Sequence, residues 1–331
     1  MAQSPSPGKG SLSAAASVLA AEFQNGFSAK HAGPSPLSSS SSSPPDKHLV
    51  TKKLMRLLAL PLLQHMGISD DSNNNNDGAA PASAPLDFVD SACGTGVLTQ
   101  ELQRMLPRNV LDESTFLCAD TSRVFVDMVA ERAKDEGWVN VRTEVLDAMD
   151  TGLPENSASH VAVGLGLHLI PAPDDVVRDC IRVLRNGGVF GASTFPETGG
   201  EFWIPDLRAA FASLPFDAPF PDKVPMQMHT SGKWYEPDWV EAHLRKLGLR
   251  DVRVVVAPGR CRIDSGQQFV DFFGSMMAVV TKTWWSEQLL AEHPLEQVKD
   301  LVRAFLDDKY EGPWHVSWHV ICMAGRAEKV I

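Results

Sequence analysis

From residue 86 onward, short apolar runs alternate with stretches of helical spacing. Residues 86–90, 115–120, 139–146, 160–167 and 189–195 read as buried strands. Between them, 97–106, 123–136 and 174–184 carry apolar positions at the three- and four-residue intervals of an amphipathic helix. Asn186-Gly187-Gly188 follows the last of these as an expected helix stop. Strand and helix in alternation predict a doubly wound, mostly parallel α/β sheet with helices on both faces. After 195 the rhythm changes. Residues 237–247 read as a helix, 252–257 as a strand, 264–308 as helical, and 314–327 as a final alternating strand.

The organisation follows from these shifts. Residues 1–48 are expected to be disordered, with a short helix at 17–30 carrying Phe23 and Phe27. The run Ser38 to Ser43 lacks the apolar residues that would offset ordering entropy. Residues 49–85 hold one leucine-rich helix at 49–66 and then an asparagine-rich linker, Asn73 to Asn76. Residues 86–331 form the expected catalytic core. It is interrupted by helical cap insertions at about 199–234 and 264–308, rich in Trp, Phe, Met and Pro.

Composition adds exclusions. With 30 Lys+Arg against 41 Asp+Glu the formal net charge is −11, which argues against binding nucleic acid or an anionic membrane surface. Five scattered cysteines with no C-x-x-C indicate neither a disulfide framework nor structural zinc. No apolar run approaches the length of a membrane span, and the chain reads as cytoplasmic.

The chemistry concentrates in Asp87-Phe-Val-Asp90-Ser-Ala92-Cys93-Gly94-Thr-Gly96, a strand running into a glycine turn and then a helix. Glycines in such a turn let a ligand approach the backbone, and the helix N-terminus offers unpaired N–H groups. Asp120 and Asp147 close the next two strands. Ligands of doubly wound sheets bind at these carboxyl ends, so Asp120 is suited to a ribose diol and Asp147 to an adenine amino group. Each Asp alone could equally cap a helix.

Taken together, Asp90 to Gly96, Asp120-Thr121-Ser122, Asp147-Ala148 and Arg182 to Gly188 resemble the successive motifs of class I S-adenosylmethionine-dependent methyltransferases. Asp135 to Asn140, Asp150 to Pro154 and Trp203-Ile-Pro205 resemble, more narrowly, fungal secondary-metabolite methyltransferases of the gliotoxin dithiol type. The resemblance implies a Rossmann-like fold and S-adenosyl-L-methionine as cofactor. It implies that Asp90, Ala92, Cys93, Gly94 and Gly96 line the cofactor's amino-acid part. Asp120 and Thr121 would hold the ribose, Phe125 would pack on the adenine, Asp147 and Ala148 would read its edge, and Leu165 to His168 would border the reacting methyl. One departure is Ala92, where the family's turn usually begins with glycine.

The expected reaction is methyl transfer to oxygen or sulfur of a small, partly apolar metabolite, with nitrogen ranked behind both. A thiol needs little base help, whereas a phenol benefits from one. His168 and His229 are the candidate catalytic bases, and no metal is indicated. Two rival readings compete. A nicotinamide oxidoreductase wants a third glycine where Thr99 stands and gives Asp147 no role. A non-catalytic relative that binds the cofactor or a partner fits the same motifs, and turnover separates it.

Overall fold

The computed structural model of the protein describes residues 47–68, 84–199 and 202–329. The helix expected at 17–30, the serine run and the asparagine run lie outside the described residues. The chain folds into two compact units. The sheet unit comprises, among the described residues, 55–68, 84–197, 229–258 and 319–329; the helical unit comprises 47–54, 198–199, 202–228 and 259–318.

The sheet has seven strands: β1 Asp87–Ser91, β2 Thr115–Asp120, β3 Val141–Val145, β4 Ala158–Val163, β5 Leu184–Thr194, β6 Leu249–Ile263 and β7 Trp314–Ala327. Their order is β3-β2-β1-β4-β5-β7-β6. β1 to β5 pair in parallel, and β7 joins β5 antiparallel. The helices are α1 Lys47–His65, α2 Val97–Met105, α3 Arg108–Glu113, α4 Arg123–Asp135, α5 Pro173–Val183, α6 Ile204–Ala212, α7 Pro237–Lys246, α8 Gly266–Trp284, α9 Glu287–Glu292 and α10 Leu295–Lys309. Strand order reverses between β1 and β4, which makes their carboxyl ends the topological switch point, where ligands of such sheets bind.

Central strands are buried on both faces, which is why they read as continuous apolar runs. Phe88 and Phe116 pair across β1 and β2, their rings tilted at 6.4 Å, each contributing roughly 1.5–3 kcal/mol by burial. α5 begins with Pro173 and the acidic pair Asp174 and Asp175, ends near Arg182, and buries Val176, Val177, Cys180 and Val183. α1 lays Met66 against β5 so closely that a Cβ at Gly191 would sit 2.3 Å from its sulfur. Its Arg56 reaches the fully buried Glu101 of α2 at 2.8 Å.

Three boundaries differ from the sequence expectation. Asn186-Gly187-Gly188 does not cap α5: the helix ends at Leu184, already extended, whose N–H donates to the Cys180 carbonyl. The three residues lie inside β5, where the pairing with β4 shifts register between Ala158 and His160, and Gly187 takes φ +77°. β4 stops at Val163, because Leu165 at φ +53° turns the chain away from the strand direction. β6 spans Leu249–Ile263, beyond the strand expected at 252–257. In addition, 229–234, expected within the first cap insertion, belongs to the sheet unit.

The helical unit has a core of its own. Phe269 and Phe273 approach at 4.8 Å, Phe202 and Phe273 at 5.4 Å, and Tyr310 stacks on Trp314 at 4.4 Å. Asp206, buried in the first turn of α6, accepts hydrogen bonds from Lys309 Nζ, Tyr310 OH and Trp314 Nε1.

Candidate active site

The site is built from the loops that leave β1, β2, β3 and β4. After Ser91 the chain turns through Ala92 at φ +54° and Gly94 at φ +51° into Gly96 at φ +72°, the N-cap of α2. Left-handed backbone costs an L-residue roughly 1–2 kcal/mol, so Ala92 stores strain that the two glycines avoid. Gly96 is required for a second reason: a Cβ there would lie 3.0 Å from a methyl of Val129 in α4. At Gly94 a Cβ would meet nothing within 4 Å, so the turn faces open space.

The three carboxylates have different surroundings. Asp90 is buried, and its Oδ2 accepts from Thr99 N–H at 3.3 Å and Thr99 Oγ1–H at 3.0 Å. Burial lifts its pKa to about 7, the bonds from Thr99 work against the rise, and the nearby charge of Asp120 adds to it. Asp120 is half-buried: Oδ2 accepts from Gly94 N–H at 2.9 Å and Oδ1 from Ser122 N–H at 2.9 Å. It thereby ties the end of β2 to the glycine turn. Asp147 is exposed and accepts from Met149 N–H at 2.9 Å, a local turn in which Ala148 is buried.

Around this frame, Cys93 N–H donates to Ala119 O at 2.9 Å. Its thiol is pushed well above its ordinary pKa by hydrogen bonding with Cys118 and by burial, so it stays protonated. Thr121 is exposed and Phe125 half-buried at the start of α4, which Ser122 caps. The stretch Asp135 to Asn140 braces the turn from behind. Glu136 accepts from Gln100 Nε2 at 2.7 Å and Trp138 Nε1 at 3.2 Å, and Arg132 stacks on Trp138 while donating to Thr95 O.

The loop after β4 adjoins the turn after β1, since a Cβ at Gly166 would lie 3.4 Å from the Ala92 methyl. Leu165 N–H donates to Ser193 Oγ at 3.1 Å, which fixes its left-handed conformation. His168 is buried and meets Phe195 edge-on at 5.6 Å. Its Nδ1 finds no hydrogen-bond partner among the described residues. Burial, and secondarily the neighbouring His229, drives its pKa down to about 3. His229 Nε2 lies 2.8 Å from Leu167 O, and Nδ1 accepts from Ser231 N–H at 3.2 Å. A carbonyl can only accept and an N–H can only donate, so His229 is neutral with its proton on Nε2. Both ring nitrogens are thus engaged by backbone, and the geometry does not support His229 as a base. Thr99, Ser193 and Ser231 also shape the site, although sequence reasoning did not reach them as functional residues. Only Thr99 left a signal, a hydroxyl one turn into the helix that follows the carboxylate strand.

Comparison with known proteins agrees with this construction. Residues 88–188 match the family model described as a methyltransferase domain. Methyltransferase tpcH of Aspergillus fumigatus is 24% identical over 265 residues, covering 80% of this chain and 89% of that protein. Acetylaranotin bis-thiomethyltransferase of Aspergillus terreus is 26% identical over 228 residues, covering 68% and 76%. Methyltransferase ktnA of Aspergillus niger is 25% identical over 244 residues, covering 69% and 79%. Fold, strand-end carboxylates and these likenesses define a class I methyltransferase. The chain is an S-adenosylmethionine-dependent methyltransferase.

The residues present fit that cofactor. The turn offers open space at Gly94, and Asp120 beside it uses one acceptor site of each oxygen, leaving capacity for two hydroxyls. The oxidoreductase reading is not favoured: Thr99, at its third glycine position, is committed to Asp90.

Proposed function

We propose that the enzyme methylates sulfur in a small, partly apolar secondary metabolite. The observation that carries the choice of sulfur is the low basicity beside the loop after β4. His229 has both nitrogens engaged, and His168 is neutral down to a pH of about 3. A group that weakly basic is poorly matched to a phenol of pKa near 10, where a tuned base contributes roughly 10²-fold or more. A thiol of pKa about 8.5 supplies a few per cent thiolate near neutrality without one. The likeness to a bis-thiomethyltransferase supports the same choice.

In this reading Asp120, with Thr121 beside it, binds the ribose hydroxyls, and Phe125 packs on the adenine. Asp147 accepts from the adenine amino group, and Ala148 borders its edge. Asp90, Ala92, Cys93, Gly94 and Gly96 form the wall along the amino-acid part. When bound, the cofactor supplies a methyl group activated on a sulfonium sulfur. Leu165 and His168 then border the acceptor. His168 Nδ1, buried and without a partner among the described residues, hydrogen-bonds the acceptor and orients it, while the thiol gives its proton to water and reacts as the thiolate, displacing the cofactor's sulfur from the methyl. Holding the two reactants together is where such a site gains its rate. The five free cysteines support placing the protein in a reducing compartment such as the cytoplasm.

The test is turnover of a dithiol and phenol panel with isotopically labelled cofactor, the product bond read by mass spectrometry. S-methyl products are expected, with His168→Ala lowering kcat several-fold through lost orientation and leaving its pH dependence unchanged. O-methyl products only, abolished by His168→Ala, would replace sulfur by oxygen and make His168 the base.

A further inference from the structure

We propose that His229 is a positioning residue: with Ser231 it clamps the loop after β4 and thereby sets the place of His168. The inference rests on the reading above only in taking that loop as the one that meets the acceptor. The clamp itself stands on hydrogen bonds within the sheet unit.

Two side chains from one short stretch hold two carbonyls of the loop. His229 Nε2–H donates to Leu167 O at 2.8 Å, and Ser231 Oγ–H donates to Pro171 O at 2.9 Å. Between these carbonyls lie His168, Leu169 and Ile170. The imidazole cannot rotate away, because Ser231 N–H occupies its other nitrogen at 3.2 Å. An imidazolium would set two N–H groups against each other there, so the clamp requires the neutral ring.

The stretch is itself anchored to β5. Trp234, fully buried, donates from Nε1 to Ser231 O at 3.0 Å, and its own carbonyl accepts from Thr194 Oγ1–H at 2.7 Å. Gly232, at φ +84°, lets the chain pass so close to Trp239 that a Cβ would lie 2.3 Å from the ring. Thr194 is the last residue of β5, and the residue before it, Ser193, holds Leu165 N–H. The end of β5 therefore secures both the loop and the strap that clamps it. His168, whose Nδ1 has no partner among the described residues, owes its position to this frame and to the edge contact with Phe195.

The test uses the full chain and three variants. His229→Phe keeps the ring shape and removes both bonds; His229→Gln restores a donor toward Leu167 O; Ser231→Ala releases only the Pro171 side. Amide exchange across residues 165–171, followed by mass spectrometry, should quicken about tenfold in His229→Phe, the change expected for losing the one part-buried hydrogen bond to Leu167 O. It should quicken less in Ser231→Ala and return close to wild type in His229→Gln. With whichever acceptor the wild type turns over, kcat should fall in parallel with loop protection while S-adenosylhomocysteine affinity stays unchanged. Unchanged exchange in both His229→Phe and Ser231→Ala overturns the clamp. Exchange restored by His229→Gln without recovery of kcat also overturns it, because it would make the imidazole a proton carrier. An O-methylated product would refute the sulfur reading alone, since the exchange data do not depend on the acceptor.

Discussion

Replacing Asp90 by Asn tests the electrostatics of the glycine turn most directly. Asp90 is 1% exposed and its carboxyl titrates near pH 7 instead of 3.8. A carboxyl whose pKa is raised in the folded state favours folding while protonated. That advantage is complete below pH 3.8 and is lost as pH rises through about 7. Raising a pKa from 3.8 to about 7 corresponds to about 4 kcal/mol, the ceiling on what ionised Asp90 costs at pH 8. Asn keeps the shape and an acceptor for Thr99, but its amide N–H2 group must be buried in place of a carboxyl oxygen, at a cost of roughly 1–3 kcal/mol. Asp90→Asn should therefore be the more stable protein at pH 8, by about 1–3 kcal/mol, and the gap should close toward pH 5. Urea unfolding of both proteins at half-unit steps from pH 5 to 8 measures it. The same variant should bind S-adenosylmethionine more weakly, because a buried counter-charge has been removed. A stability difference that does not vary with pH, or an Asp90→Asn protein less stable than wild type at pH 8, would show that burial does not govern this carboxyl.

Three further outcomes are expected. Asp120→Ala should weaken S-adenosylhomocysteine binding by about 1–3 kcal/mol in calorimetry, and equal affinity would remove Asp120 from the ribose site. Gly96→Ala, with φ +72° and a contact of 3.0 Å to Val129, should lower stability by roughly 1–3 kcal/mol in thermal unfolding; a neutral result would mean that α4 yields freely. Asp206→Ala strands the donors of Lys309, Tyr310 and Trp314 and should cost the helical unit roughly 3 kcal/mol or more in urea unfolding, whereas a loss below about 1 kcal/mol would mean those donors find water.

What the sequence disclosed and what it hid divide along the range of the interactions. The strands, the glycine turn and the carboxylates at 90, 120 and 147 are local signals. Each depends on residues within one element and its next turn, so periodicity and turn chemistry expose them. Asn186-Gly187-Gly188 misled because its local chemistry suits a helix end, while the tertiary register of β5 against β4 has a stronger demand for the same residues. The histidines could not be sorted from sequence at all. Whether His229 is a base or a clamp is decided by Leu167, 62 residues away, and whether His168 is basic is decided by burial that only the assembled sheet unit creates. Ala92 lies between these cases. Its departure from glycine is visible in the sequence, but the strain appears only with φ at +54°. A strained alanine and a desolvated carboxylate two residues apart are costs that packing elsewhere must cover. Their concentration at one strand end, next to the open space at Gly94, is the physical signature that makes the turn the candidate binding site.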